Sequence, residues 1–162
     1  MAVSTFQKKQ VFRPTNSKKV IKYGLEFDST AEYDFYEILK RIGIEFEYQY
    51  LFNLTGETHY KSKKVLLLNG SSASCITLTV DFIFKLNGIT YIVDTKGSRE
   101  STTAYSKLKY NLLKHRIIEQ GEANETQIKF VYAKDVLSLN KITWGLYALK
   151  NFVEYFSKLP PL

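Results

Sequence analysis

Apolar positions along the chain fall into runs that switch between helical and strand periods. Ala31, Phe35, Ile38, Leu39 and Ile42 recur at helical spacing. Ser29-Thr30-Ala31-Glu32 before them is a capping-box pattern and Gly43 is a natural stop, so a helix is predicted from Ser29 to Gly43. Glu45 to Leu54 alternates as a strand. Gly56 to Lys64 reads as a polar, basic loop, Val65 to Leu68 as a short apolar strand, and Asn69 to Ser74 as a Gly/Ser-rich turn.

The clearest period-two segment follows. Ile76, Leu78, Val80, Phe82, Phe84 and Leu86 are expected on one face of a strand. Asn87-Gly88 is a strong hairpin signal, and Ile89 to Lys96 is the return strand. After a loop over Gly97 to Ser101, Thr102 or Thr103 caps a helix that runs to Gln120 and is closed by Gly121. Gln127 to Ala133 reads as a buried strand. Trp144, Leu146, Leu149, Phe152, Val153 and Phe156 mark a C-terminal helix, with Trp144 expected in the core. This order predicts an α/β (α+β) domain with a mixed sheet.

The hairpin fixes register, because a two-residue loop pairs Leu86 with Ile89. Asp81 is then expected opposite Asp94, and Thr79 opposite Lys96. Asp94 and Lys96 are two apart and share a face. Asp81, Asp94 and Lys96 are therefore predicted to converge, with Val80, Phe82, Phe84, Tyr91 and Val93 on the other face. Like charges directly opposed across a ribbon are destabilising, and Asp is disfavoured within strands. Two readings follow. A hard divalent cation reverses the sign of the interaction, as magnesium does with one or two carboxylates, waters and a phosphate. Alternatively the face is solvated and Lys96 neutralises one aspartate.

Composition narrows the choice. A length of 162 residues suits one domain. Cys75 is the only cysteine, which excludes a disulfide framework or a Cys-ligated zinc site, and His59 and His115 share no ligand spacing. The N-terminus lacks the apolar core of a signal peptide and no transmembrane run is present, so no membrane span and a cytoplasmic location are expected. The net charge is +7, and Lys8, Lys9, Arg13, Lys18, Lys19 and Lys22 all precede the first acid, Glu26. Such an arm reads either as a polyanion contact or as a solubilising terminus. The organisation expected is a basic arm over residues 1–22 and one domain over 23–162.

Thr-Val-Asp81-Phe and Val-Asp94-Thr-Lys96-Gly resemble the motif of the PD-(D/E)XK nuclease superfamily. Asp81 matches the first acid, and Asp94 and Lys96 match the second acid and the lysine. Phe-Asp-Ser-Thr-Ala-Glu32 resembles the entry helix whose glutamate completes the metal site in many members. Gln49 sits where related phage and transposon-end nucleases often carry glutamine. The likeness covers roughly Lys22 to Arg116. Its layout is similar to that of small phage-encoded endonucleases, Holliday-junction resolvases and transposon-end nucleases. Val80 replaces the motif's proline, and the second acid is aspartate.

The resemblance implies a restriction-endonuclease-like fold, a mixed central sheet flanked by helices. It implies Mg2+ or Mn2+, with no organic cofactor, held by Asp81, Asp94, Glu32 and the Thr95 carbonyl. It also implies hydrolysis of DNA phosphodiesters with catalytic roles for Asp81, Asp94, Lys96 and Glu32. Lys96 would orient or deprotonate the attacking water and stabilise the pentavalent phosphate. Glu32 has a competing role as the residue that bonds back to the Ser29 cap. Lys107 and Lys109 fall where similar nucleases place groups near the scissile phosphate, and are otherwise a solvated helix face. Lys61, Lys63 and Lys64 are expected on phosphate backbone. Resolvases of this kind act as dimers, so the likeness also carries a homodimer.

The function expected is a metal-dependent DNA endonuclease, phage-encoded and acting in the host cytoplasm, with branched DNA such as the Holliday junction as substrate. The alternatives are a non-catalytic DNA-binding protein on the same fold and a nuclease subunit of a transposition complex. A basic RNA-binding module lacks its aromatic motif and leaves the opposed aspartates unexplained.

Overall fold

A computed structural model describes residues 18–55, 64–66, 72–74, 76–98 and 102–162. The described chain opens with a hairpin, β1 (Val20–Lys22) against β2 (Leu25–Phe27). Its turn uses Tyr23 and Gly24, both at positive φ. The last three residues of the basic segment, Val20–Lys22, thus form a strand.

Helix α1 (Thr30–Ile42) follows as predicted. Ser29 Oγ accepts from the Glu32 amide at 3.1 Å, and Gly43 closes the helix in the left-handed region, where glycine has no Cβ penalty. Strand β3 (Phe46–Asn53) comes next, then a short antiparallel pair, β4 (Lys64–Leu66) and β5 (Ser72–Ser74). Ser72–Ser74 was expected within a turn; its backbone instead pairs antiparallel with β4, Lys64 opposite Ser74 and Leu66 opposite Ser72.

The central sheet has the order β3-β6-β7-β8, with β6 (Thr77–Leu86), β7 (Ile89–Lys96) and β8 (Thr126–Tyr132). β6 is antiparallel to β3 and β7, while β7 and β8 run parallel, so the sheet is mixed. Asn87 and Gly88 both have positive φ, as a tight two-residue hairpin turn requires. Helix α2 (Ala104–Glu119), capped by Thr103, makes the crossover from β7 to β8.

Helices α3 (Ala133–Ile142) and α4 (Ala148–Lys158) end the chain. The sequence reading missed α3, which starts directly from β8. It also started the C-terminal helix too early. Gly145 sits at φ 81, and Trp144 and Leu146 are 64% and 99% exposed on the turn before α4 rather than in the core.

Two apolar layers sandwich the sheet. One joins α1, α3 and α4 through Phe35, Leu39, Leu139, Phe152 and Phe156 to Phe82, Phe84, Tyr91, Val93 and Val131. The other joins α2, through Tyr110, Leu113 and Ile117, to Leu78, Val80, Ile92, Ile128 and Phe130. Lys129 is buried on the first side, and its Nζ donates to the carbonyls of Phe156 (2.8 Å) and Leu159 (2.9 Å). The Phe156 carbonyl also accepts from the Leu159 amide (3.2 Å), so Lys129 adds a donor at the end of α4, where carbonyls run short of intrahelical partners.

Candidate functional site

The site forms where two strands part. β6 and β7 pair from the hairpin turn only to Phe82 and Val93. Beyond that point β6 stays with β3 as far as Thr77, and β7 stays with β8 as far as Lys96. Asp81 and Asp94 are the first residues past the fork. The expected ladder pairs Asp81–Asp94 and Thr79–Lys96 are therefore not formed. Instead, Asp81 Oδ2 accepts from the Thr95 amide (2.7 Å) and from Thr95 Oγ1 (2.6 Å), so a carboxylate stands where a strand carbonyl would accept.

A second irregularity lies on the same line. Leu86, Phe84 and Phe82 pack toward α1, α3 and α4, but Val80, Leu78 and Ile76 pack toward α2. The even positions of β6 thus change sides at Asp81, contrary to the single face expected for them. β3 does the same: Phe46 and Tyr48 join the first layer, Phe52 and Leu54 the second. Gln49 stands between the two halves of β3, at φ 55, across from Asp81. A left-handed non-glycine residue costs on the order of 1–3 kcal/mol and concentrates at functional sites. Register is the same on both sides of the exchange, so the strands reverse their faces without slipping. Both faces accept apolar residues, which is why the pattern alone could not reveal the exchange. Past this line the face carries Leu51, 59% exposed, and exposed Thr79.

Asp94 and Lys96 lie on the α2 side, as their spacing predicts. Asp94 is buried, and its Oδ2 receives both the Tyr110 hydroxyl (2.5 Å) and Lys96 Nζ (2.5 Å). The Lys96 ammonium also stands 5.5 Å from the centre of the Phe130 ring. Glu32, only 2% exposed, comes from the first turn of α1. Its Oε1 accepts from Tyr48 Oη (2.8 Å) and its Oε2 from the Asp28 amide (2.6 Å). The Ser29 cap therefore forms, but the glutamate bonds past it to Asp28 rather than to the cap's own amide. Gln49 Nε2 donates to Tyr48 Oη at 3.2 Å and completes this chain.

Asp81 feels the other two acids. Burial first, then the charges of Asp94 and Glu32, hold the Asp81 carboxyl well above the usual range, and the Thr95 hydroxyl offsets only part of this. Burial also raises Glu32, against the hydrogen bonds from Tyr48 and the Asp28 amide. Tyr48 is pushed up by burial and its bond to Glu32, and Tyr110 by burial and the Asp94 charge, so both hydroxyls stay protonated and serve as donors.

Among the described residues, no group of three carboxylate, imidazole or thiol side chains is gathered to hold a metal ion. The donor set nonetheless fits a hard cation. Asp81 and Asp94 repel at the fork, and the groups they offer are carboxylate oxygens, the donors a hard cation takes. Such an ion needs only one or two carboxylates when water and phosphate complete its shell. Glu32, turned onto Tyr48 and Asp28, stands behind this pair.

Of the other sequence candidates, Lys107 is exposed on α2, and Lys109 Nζ lies 4.7 Å from the centre of the Tyr105 ring. Lys64 opens β4, while Lys61 and Lys63 lie outside the described residues. Sequence reasoning missed Tyr48 and Tyr110. Tyr110 was detectable in principle, since it precedes Leu113 and Ile117 at helical spacing.

Asp81→Asn is expected to stabilise the metal-free protein by a few tenths to about 1 kcal/mol while weakening Mg2+ binding. The pH dependence supplies a second check. The Asp81 carboxyl is raised in the fold, so its stabilising contribution is complete below the unfolded value of 3.8 and is lost as pH rises through the folded value. The advantage of Asp81→Asn should therefore grow with pH above that unfolded value. Thermal melts across pH, with and without Mg2+, read both effects; a metal-free melting point well below wild type contradicts the repulsion.

The family model for proteins of unknown function DUF1064 matches residues 13–134. The matched span takes in Glu32, Gln49, Asp81, Asp94, Lys96 and Tyr110, and it ends at the start of α3. Neither the curated proteins nor the solved structures gave a match. The match covers three quarters of the chain, and the protein belongs to the DUF1064 family.

Proposed function

We propose that this protein is a divalent-metal-dependent DNA endonuclease. The observation that carries the reading is the meeting of Asp81, Asp94 and Lys96 at the β6–β7 fork, where folding alone gives no reason to oppose two carboxylates. Asp81 and Asp94, with the Thr95 carbonyl, would hold Mg2+ or Mn2+. A bound ion supplies Lewis-acid polarisation of the phosphodiester and offsets the charge that develops on it. Lys96 orients the attacking water and stabilises the pentavalent phosphate. Tyr110 and Lys96 together fix Asp94, and Glu32 with Tyr48 closes the far side of Asp81. The net charge of +7 supports a polyanionic substrate.

The test is incubation with Mg2+ and a panel of linear, nicked, flapped and four-way DNA. Cleavage that EDTA stops, and that favours branched over linear substrates, is the expected result. Tight DNA binding in Ca2+ with no cleavage in Mg2+ or Mn2+ would instead establish a non-catalytic binding protein. No binding to any of these DNAs would sink both readings.

A further inference from the structure

Helix α2 carries two stripes side by side. Tyr110, Leu113 and Ile117 are buried against the sheet. Tyr105, Lys109, Leu112 and Arg116, at spacings of four, three and four, form a flank next to them. This flank faces β6, the strand of Asp81, because Arg116 at its far end lines a cavity of about 300 Å³ with Ile83 of β6 and Phe52 of β3. Charge selects nothing at that far end, where Glu47 and Glu122 share the cavity with Arg116. The near end is different, because it lies by the fork. Tyr110 Oη bonds to Asp94, and Tyr105 stands five residues earlier, about 7.5 Å along the axis.

Tyr105 is 62% exposed, and Leu108, three residues on, is 53% exposed, so α2 shows large apolar groups to solvent where it passes the fork. Lys109 Nζ stands 4.7 Å from the centre of the Tyr105 ring. An ammonium over one face holds the ring and leaves its other face for a second π surface. Lys109 forms no ion pair with a described residue. The sequence contains no acid between Glu100 and Glu119, while Lys107, Lys109, Lys114 and Arg116 fall in that stretch. The acids at the fork are Asp81 and Asp94, and Lys96 already bonds to the second.

We propose, resting on the nuclease reading above, that Tyr105 stacks on an unpaired base beside the scissile phosphate, so that the preferred substrate is DNA with an unpaired nucleotide at the cut. The occupant follows from the site itself. A phosphodiester held at Asp81, Asp94 and Lys96 brings its own flanking nucleosides past the start of α2, and Tyr105 is an exposed ring on that path. Every base has a π face, so the stack tolerates any sequence. A base inside a duplex has both faces covered by its neighbours, whereas one at a flap or a branch point does not. Lys109, beyond the ring, adds a phosphate contact that positions the strand without reading it. Tyr105 thus selects the structure of the substrate, and the carboxylates with Lys96 carry the chemistry.

The probe is a flapped DNA with 2-aminopurine at the unpaired nucleotide next to the branch, titrated with the full-length protein in Ca2+. A fully paired duplex with the same label is the control. Wild type should quench the flap label saturably and leave the duplex label unchanged. Tyr105→Leu should lose the quench and weaken flap binding by about five- to 150-fold, the range for one stacked base, with duplex affinity and melting point unchanged. Tyr105→Phe, which keeps the ring, should keep both the quench and the affinity. The stacking role is overturned if wild type binds the flap without quenching it, if Tyr105→Leu matches wild type, if it loses flap and duplex equally, or if Tyr105→Phe fails as Tyr105→Leu does. Cleavage in Mg2+ separates this from the nuclease reading. A Tyr105→Leu variant that cuts flaps with wild-type preference removes the stacking role alone, while a wild-type protein that binds none of these DNAs removes both.

Discussion

Replacing Asp94 or Lys96 with alanine is expected to stop DNA cleavage, by about 10³-fold or more, while DNA binding persists. Asp94 is the hub of its half of the site, because its Oδ2 holds both Tyr110 and Lys96. Lys96 is the cation closest to the opposed carboxylates, so its loss removes charge stabilisation that no described side chain at the fork replaces. Asp94→Ala also leaves the Tyr110 hydroxyl without its acceptor, which costs stability. Asp94→Asn separates the two effects: it keeps an acceptor for Tyr110 but lowers the charge available to a cation. Single-turnover cleavage in Mg2+, with binding measured in Ca2+, reads the result. Wild-type cutting by any of the three variants would show that the fork is not the reacting centre.

Phe82→Ala should lower stability by about 3–5 kcal/mol, the range for deleting a buried aromatic. For a chain of this size that corresponds to a fall in melting temperature of roughly 6–20 °C. Phe82 has no exposed surface and packs edge-on against Phe35 (5.2 Å between ring centres) and Phe46 (5.7 Å), with Tyr48 tilted beside it (5.4 Å). It is also the last residue of β6 still paired with β7. A cavity there loosens the base of the fork as well as the core. Differential scanning calorimetry checks the stability, and a loss below 1 kcal/mol would contradict the packing described for this layer.

Much of this architecture was legible in the chain. The Ser29 cap and Gly43 stop bounded α1, Asn87-Gly88 placed the hairpin, and the Thr102-Thr103 pair marked the start of α2, which Thr103 caps. These are local signals, each fixed by a few neighbouring residues. The fork was not legible, because hairpin register extrapolates correctly only while the two strands keep pairing. Asp81 ends that pairing with its own carboxylate, a choice made by the third dimension. Period-two reading failed at the same place: Val80 and Phe82 differ in face although both are apolar and two apart. α3 was hidden because it begins without a loop after β8, and Trp144 was misplaced because Arg41, distant in sequence, holds it at the surface.

The left-handed turn of Gln49 has a further consequence, for the protein's behaviour in crowded solution. β3 lies at one end of the sheet order, and it is long and rich in aromatic residues. A flat strand of that kind invites a second chain to add on by backbone pairing, the first step toward aggregation. The reversal at Gln49 divides it into two short halves whose side chains point to opposite sides. An incoming regular strand that matches one half presents the wrong face to the other. The backbone distortion beside the carboxylates thereby also shields the edge, in the manner of the kinks and bulges that blunt exposed strands elsewhere.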